Sequence, residues 1–117
     1  MSDAVTIAWL AGILEGEGTF GHYSSTRIKV KMGDRDIIER VAKLWGTEVK
    51  VREDKRPNAN TMYETSVYGP TAIEWMKRVY LLMGIRRKAK IMEILAIREE
   101  MNANALRRKK PKTMAAK

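Results

Sequence analysis

The chain has 117 residues, enough for one domain, and 44% of them are apolar, too many for a disordered chain. It contains no cysteine, which excludes disulfides and thiolate metal sites, and no apolar run approaches the roughly 20 residues that span a bilayer. Net charge is +9 and unevenly placed: residues 1–85 carry 12 basic and 11 acidic side chains, residues 86–117 carry 11 and 3, which points to a polyanionic partner, nucleic acid before membrane.

In chain order, Ser2 or Asp3 caps a helix predicted to run to about Gly16, with Ile7, Leu10 and Leu14 at helical spacing. Gly16, Gly18 and Gly21 break it. Residues 19–24 and 26–32 form a strand pair, since Arg27-Ile28-Lys29-Val30-Lys31 alternates polar and apolar as a half-buried strand does. Asp34 starts a second helix that carries Ile37, Ile38, Val41 and Leu44 on one face and ends at Gly46. Thr47 to Arg52 alternates again, residues 53–60 form a loop, and Met62 to Tyr68 is a fourth strand. Pro70 opens a third helix ending near Gly84, and a last helix spans roughly 86–102. The pattern predicts an α+β fold, an antiparallel sheet with helices on one face, in one domain over 1–102. The basic, proline-containing stretch 103–117 is expected to be a flexible tail. Met1 to Thr6 lacks the basic start of a signal peptide, so a soluble intracellular protein is expected.

The first helix holds two anomalies. Ala4, Ala8, Gly12 and Gly16 are four apart and form a ridge of small side chains. Gly12 lies mid-helix, where it costs about 1 kcal/mol against alanine. Either another backbone comes close to this ridge, or the helix packs tightly on its own sheet. Glu15 and Glu17 lie at the helix C-terminus, where the dipole disfavours carboxylates. They are either two solvated acids beside a turn, or part of a hard-cation site. Magnesium takes oxygen ligands, keeps several waters, and needs only one or two carboxylates.

Leu10-Ala11-Gly12-Ile13-Leu14-Glu15-Gly16-Glu17-Gly18 resembles the signature that names the LAGLIDADG homing endonucleases. Leu10, Ala11, Gly12 and Gly18 are identical to it, Ile13 and Leu14 are conservative exchanges, Gly16 is small for small, and both acids are acid for acid. The predicted strand-strand-helix-strand-strand-helix order after the motif is the rest of that fold, αββαββα(α) with a saddle-shaped sheet, so the resemblance covers roughly residues 3–102. It implies a site-specific, metal-dependent endonuclease that hydrolyses phosphodiester bonds in double-stranded DNA. A single motif copy implies a homodimer, with Ala4, Ala8, Gly12 and Gly16 at the seam, acting at a long pseudo-palindromic site. Glu17, at the motif's eighth place, would coordinate catalytic Mg²⁺, or another divalent cation such as Mn²⁺ or Ca²⁺, with the carbonyl of Gly16 as a second ligand. Glu15 would support the helix end or the seam. The host setting implied is a bacterial or phage-infected cytoplasm, or an organelle.

Alternation also assigns the sheet faces. Phe20, Ile28, Val30, Val49, Val51 and Val67 should point at the helices. The opposite face then carries Thr19, Gly21, Tyr23, Arg27, Lys29, Lys31, Lys50, Arg52, Met62, Glu64 and Ser66. A two-stranded ribbon fits the major groove, where Arg and Lys reach guanine O6 and N7. By the resemblance this is the saddle that lies along DNA; the plainer alternative is a sheet face kept soluble by lysines. His22 falls on the core side, and Trp9, Trp45 and Trp75 occupy apolar helical positions suited to packing. The resemblance also calls for a basic residue near the scissile phosphate, for which Arg86, Arg87 and Lys88 are the candidates, and for a polar side chain at the end of the second strand, where Lys31 or Met32 stands. The expected partners are therefore double-stranded DNA and a second copy, with no membrane and no small-molecule substrate. Rival readings are a relative that has lost cleavage and regulates through DNA binding, and an RNA-binding splicing helper.

Overall fold

A computed structural model describes residues 3–22, 24–53 and 55–109. Its elements are α1 (Asp3–Glu17), β1 (Gly18–His22), β2 (Thr26–Met32), α2 (Arg35–Trp45), β3 (Lys50–Arg52), β4 (Met62–Tyr68), α3 (Gly69–Val79), a 3₁₀ turn (Tyr80–Leu82) and α4 (Ile85–Lys109). The order is the expected one. The proposed caps are only partly realised: Asp34 precedes α2 without a side-chain capping bond, whereas Gly46 closes α2 in the left-handed region at φ 69°. Ser2 and Tyr23 lie outside the described residues.

The four strands form one antiparallel sheet in the order β1-β2-β4-β3. Helical residues cover one face of it. Leu10, Ala11 and Leu14 of α1, Ile38, Val41 and Trp45 of α2, Ala72, Ile73, Met76 and Val79 of α3, and Ile91 and Ile94 of α4 join Phe20, Ile28, Val30 and Val67 of the sheet in a single buried cluster. The strands therefore bury one residue in two, and the helices bury a stripe at three- and four-residue spacing.

Three expectations shift. Val51 has the parity of the core face, opposite Tyr63, yet is 49% exposed. It sits on the edge strand β3, beyond the cover that the helices give the centre of the sheet. Second, β3 is only three residues long, because residues 47–49 lead into it without pairing. Third, α4 runs to Lys109, seven residues past the expected end. Periodicity stopped near Asn102, but Ala103, Ala105, Leu106, Arg107 and Arg108 are strong helix formers, and propensity carries the helix on. Residues 110–117 lie outside the described residues.

Candidate functional site

The motif residues Leu10 to Glu17 all lie in α1, and Gly18 opens β1. Leu10, Ala11 and Leu14 face the core. The motif glycines differ sharply in what holds them. A Cβ on Gly18 would stand 2.7 Å from the carbonyl oxygen and 2.9 Å from the Cα of Leu14, so the chain can turn from helix into strand here only without a side chain. A Cβ on Gly12 or on Gly16 would meet nothing within 4 Å. Ala4, Ala8, Gly12 and Gly16 are all exposed, and Val5 beside them is exposed too. The sheet does not cover this ridge, so nothing among the described residues offsets the helical cost of Gly12.

The two motif acids have separate fates. Glu15 accepts a hydrogen bond from the Gly84 N–H just before α4, and its other oxygen lies 3.6 Å from Arg87 Nε. Arg87 donates from one terminal nitrogen to the Gly18 carbonyl and from the other to the Glu15 carbonyl at 3.2 Å. It is a guanidinium clamp on the end of α1, where unpaired carbonyls and the negative helix terminus favour a cation. Its side chain is 15% exposed. The expectation that Glu15 supports the helix end fits this contact. Arg87, one of three candidate basic residues, is committed to the α1 terminus. Arg86 is exposed and, together with Arg87, Thr19, Lys90 and Glu93, lines a recess of about 360 Å³, while Lys88 Nζ lies 5.7 Å from the Tyr80 ring centre.

Glu17 is exposed at the last position of α1, and no ion pair or hydrogen bond engages it among the described residues. It precedes the Gly18–Val30 pair, which puts it at the level of Lys31 on the neighbouring strand. The Glu17 carboxylate and the Gly16 carbonyl are hard oxygens of the kind that could hold magnesium or calcium. No group of three or more His, Cys, Asp or Glu gathers among the described residues. One chain thus supplies one carboxylate, which fits an ion that keeps most of its waters.

Register fixes the open face of the sheet. The pairs Thr19–Lys29, Gly21–Arg27, Lys31–Glu64, Lys29–Ser66, Lys50–Glu64 and Arg52–Met62 place all the described residues of the expected set on one side. Arg27 also pairs with Tyr68, which is half exposed. Tyr68 was missed by the sequence reading, although two more steps of the alternation from Glu64 through Ser66 reach it. This face holds a cavity of about 370 Å³ whose lining includes Arg27, Lys29, Thr47, Glu48, Lys50, Arg52, Glu64 and Tyr68. At the end of β2, Lys31 is exposed on the open face, whereas Met32 pairs with Tyr63 and packs against the core.

Sheet order puts β4 between the two basic strands, where Glu64 lies opposite Lys31 of one and Lys50 of the other. Glu64 is 7% exposed. It accepts a hydrogen bond from Arg52 Nε, and its second oxygen is 3.9 Å from Lys29 Nζ. Burial pushes its pKa up, but the hydrogen bond from Arg52 and the charges of Arg52, Lys29 and Lys31 outweigh that, leaving it below the ordinary glutamate value. Elsewhere the secondary readings hold. His22 Nδ1 lies 3.0 Å from the buried Thr26 hydroxyl, and Trp45 is buried. Trp9 and Trp75 pack against the core beneath Arg40, at 3.9 Å, and Arg78, at 5.0 Å.

No protein-family model and no curated protein sequence matches the chain. Solved structures do. The archaeal intron-encoded homing endonuclease I-Vdi141I, complexed with DNA, superposes with a TM-score of 0.58 at 14% identity, over 78% of this chain and 65% of that one. The homing endonuclease I-CvuI, in complex with its target, gives a TM-score of 0.60 at 18% identity, over 87% and 71%. A mutant of I-SmaMI gives 0.54 at 13%, over 84% of this chain and 38% of the other. The chain thus spans about two thirds of the length of the first and well under half of the last. Four antiparallel strands, the helices on one face and the motif at the end of α1 coincide in one architecture: the chain carries the LAGLIDADG homing-endonuclease fold.

Proposed function

We propose that this protein is a site-specific, divalent-metal-dependent DNA endonuclease that acts as a homodimer. The observation that carries the reading is the pairing of an exposed motif carboxylate, Glu17, which has no partner among the described residues, with an open sheet face bearing five cations, both on a fold whose solved examples include DNA complexes. I-CvuI has been crystallised on DNA with calcium and with magnesium, which agrees with the hard-oxygen donors here.

The open face would lie along the major groove. Arg27, Lys29, Lys31, Lys50 and Arg52 would contact bases and phosphates, with Thr19, Met62, Ser66 and Tyr68 filling the remaining base edges. Tyr23 belongs to this set by sequence and lies outside the described residues. Glu17, with the Gly16 carbonyl, would hold a divalent cation. When bound, that ion lowers the pKa of water and neutralises charge on the attacking and leaving oxygens. The chain's own part is positional. Arg87 and Glu15 fix the end of α1 against α4, which holds Glu17 at the rim of the saddle. Arg86 or Lys88, the candidate cations not committed to the α1 terminus, would stabilise the charge that develops on the scissile phosphate. The uncovered ridge of Ala4, Ala8, Gly12 and Gly16 would seat the same ridge of a second copy, since a two-fold contact needs one self-complementary surface. That seam would bring two Glu17 carboxylates together, one for each strand of the duplex.

Supercoiled plasmid pools carrying random inserts test this. With Mg²⁺, a few plasmids should be linearised at one site each; with EDTA, none. Unchanged supercoiled DNA under both conditions, from protein that still retards DNA, would move the reading to a DNA-binding regulator. Retention of RNA in preference to duplex DNA would move it to a splicing helper.

A further inference from the structure

Glu64 is out of place on the open face. Four cations, Lys29, Lys31, Lys50 and Arg52, neighbour it, an approaching phosphate backbone would repel it, and it is the one acid among the described strand residues of that side. An acid there has two ordinary uses. It can accept a hydrogen bond from the cytosine amino group, or it can hold its neighbours.

The geometry decides between them. Glu64 is directly opposite Lys31 on one side and Lys50 on the other, with Lys29 and Arg52 on the diagonals. Both carboxylate oxygens are engaged, one by Arg52 Nε and the other by Lys29. Its side chain is 9% exposed, against 53% for Arg52 and 33% for Lys29. The acid lies at the floor of the cavity and the cations rise from it. A guanidinium has five N–H donors. With Nε held from below, its two terminal nitrogens are left as an outward fork, the arrangement that meets guanine O6 and N7 in the major groove.

Resting on the DNA-reading assignment above, we propose that Glu64 is a positioning residue for base recognition: it does not touch DNA, but holds Arg52 end-on, and Lys29 beside it, so that Arg52 reads guanine at one base pair of each half-site. An unheld arginine samples many rotamers and reaches phosphates as readily as bases. A held one discriminates.

The experiment is selection from a randomised duplex DNA pool in Ca²⁺ or EDTA, with sequencing of bound DNA. It compares the parent with Glu64→Gln, Arg52→Ala and Arg52→Lys. The parent should enrich guanine at a position where Arg52→Ala loses it. Glu64→Gln should relax that same position about tenfold or more and leave distant positions intact, with affinity for mixed duplex no weaker than the parent's. Arg52→Lys, which keeps the charge without the fork, should relax it too. Nitrogen-15 NMR of the DNA-free parent supplies a reading that needs no variant to fold: the Arg52 Nε–H should be slow to exchange with water. Three results overturn the proposal. The first is a Glu64→Gln variant that keeps the parent's preference everywhere. The second is a change at a position that Arg52→Ala leaves alone, which would make Glu64 a base contact. The third is weaker binding to every duplex alike, which would make it merely structural. A parent that enriches no sequence refutes the DNA-reading assignment itself, and this inference with it, and that result is distinct from the other three.

Discussion

Replacing Gly12 by alanine separates the two roles proposed for the first helix, in the fold of the monomer and at the seam of a dimer. In the isolated chain a Cβ at this position meets nothing within 4 Å. The methyl group therefore adds only helix propensity, about 0.8–1.0 kcal/mol. For a domain of this size one kcal/mol moves the melting temperature by roughly 4 °C or somewhat more, so the monomer should melt several degrees higher. A second helix packed on the ridge reverses the sign, because each copy then places a methyl group into the seam. Overpacking of this kind costs roughly 1–3 kcal/mol, and 1.4 kcal/mol is tenfold in a dissociation constant. The expected result is opposite shifts: a higher melting temperature at the dilution where the protein is monomeric, and self-association weaker by about tenfold in sedimentation or light scattering. Gly12→Leu should abolish association while the monomer still folds. If Gly12→Ala self-associates as tightly as the parent, the ridge is not the seam. A drop in melting temperature at high dilution would instead mean that the chain itself covers Gly12.

Further outcomes follow from other contacts. Arg87→Ala removes the clamp on the Glu15 and Gly18 carbonyls and should cost about 2–3 kcal/mol in urea unfolding; Arg87→Lys, which offers no planar fork, should recover only part of that. Alanine at Arg27, Lys29, Lys50 or Arg52 should weaken DNA binding, and a base-contacting one should relax a single position by about 1–3 kcal/mol; four variants that bind and discriminate like the parent would exclude the saddle. Glu64 has a folded pKa below its unfolded one, so its stabilisation is complete above the unfolded value, about 4.3, and is lost as pH falls through the folded value. Urea midpoints taken downward from pH 5 should therefore fall less steeply in Glu64→Gln than in the parent, and equal slopes would contradict the contact geometry.

Much of this architecture was legible in the residues because period and punctuation agree. The faultless alternation of Arg27 to Lys31 marks a strand with one wet face, and Gly46 marks the end of α2, where its φ is 69°. The motif was legible as a string, but its parts were not equal in physical meaning. Gly18 is required by contact with Leu14, whereas a Cβ on Gly12 or Gly16 would meet nothing among the described residues. Alternation assigned side chains to faces but could not order the strands. Only pairing shows β4 between β2 and β3, and hence Glu64 at the centre of the cations. The clamp of Arg87 on α1 joins residues about 70 apart in sequence, and no local pattern marks it. The extension of α4 to Lys109 was hidden because exposed helix has no apolar period, only propensity.

The proposed role of Glu17 in metal-dependent cleavage is open to a direct comparison of Glu17→Gln with the parent on a DNA site selected by the parent, measuring affinity in Ca²⁺ and cleavage in Mg²⁺. The variant deletes a ligand charge and hardly changes shape, so it should bind within roughly tenfold of the parent and leave both strands uncut. Mg²⁺-dependent cutting or nicking by Glu17→Gln at the parent's rate would show that Glu17 does not hold the catalytic metal.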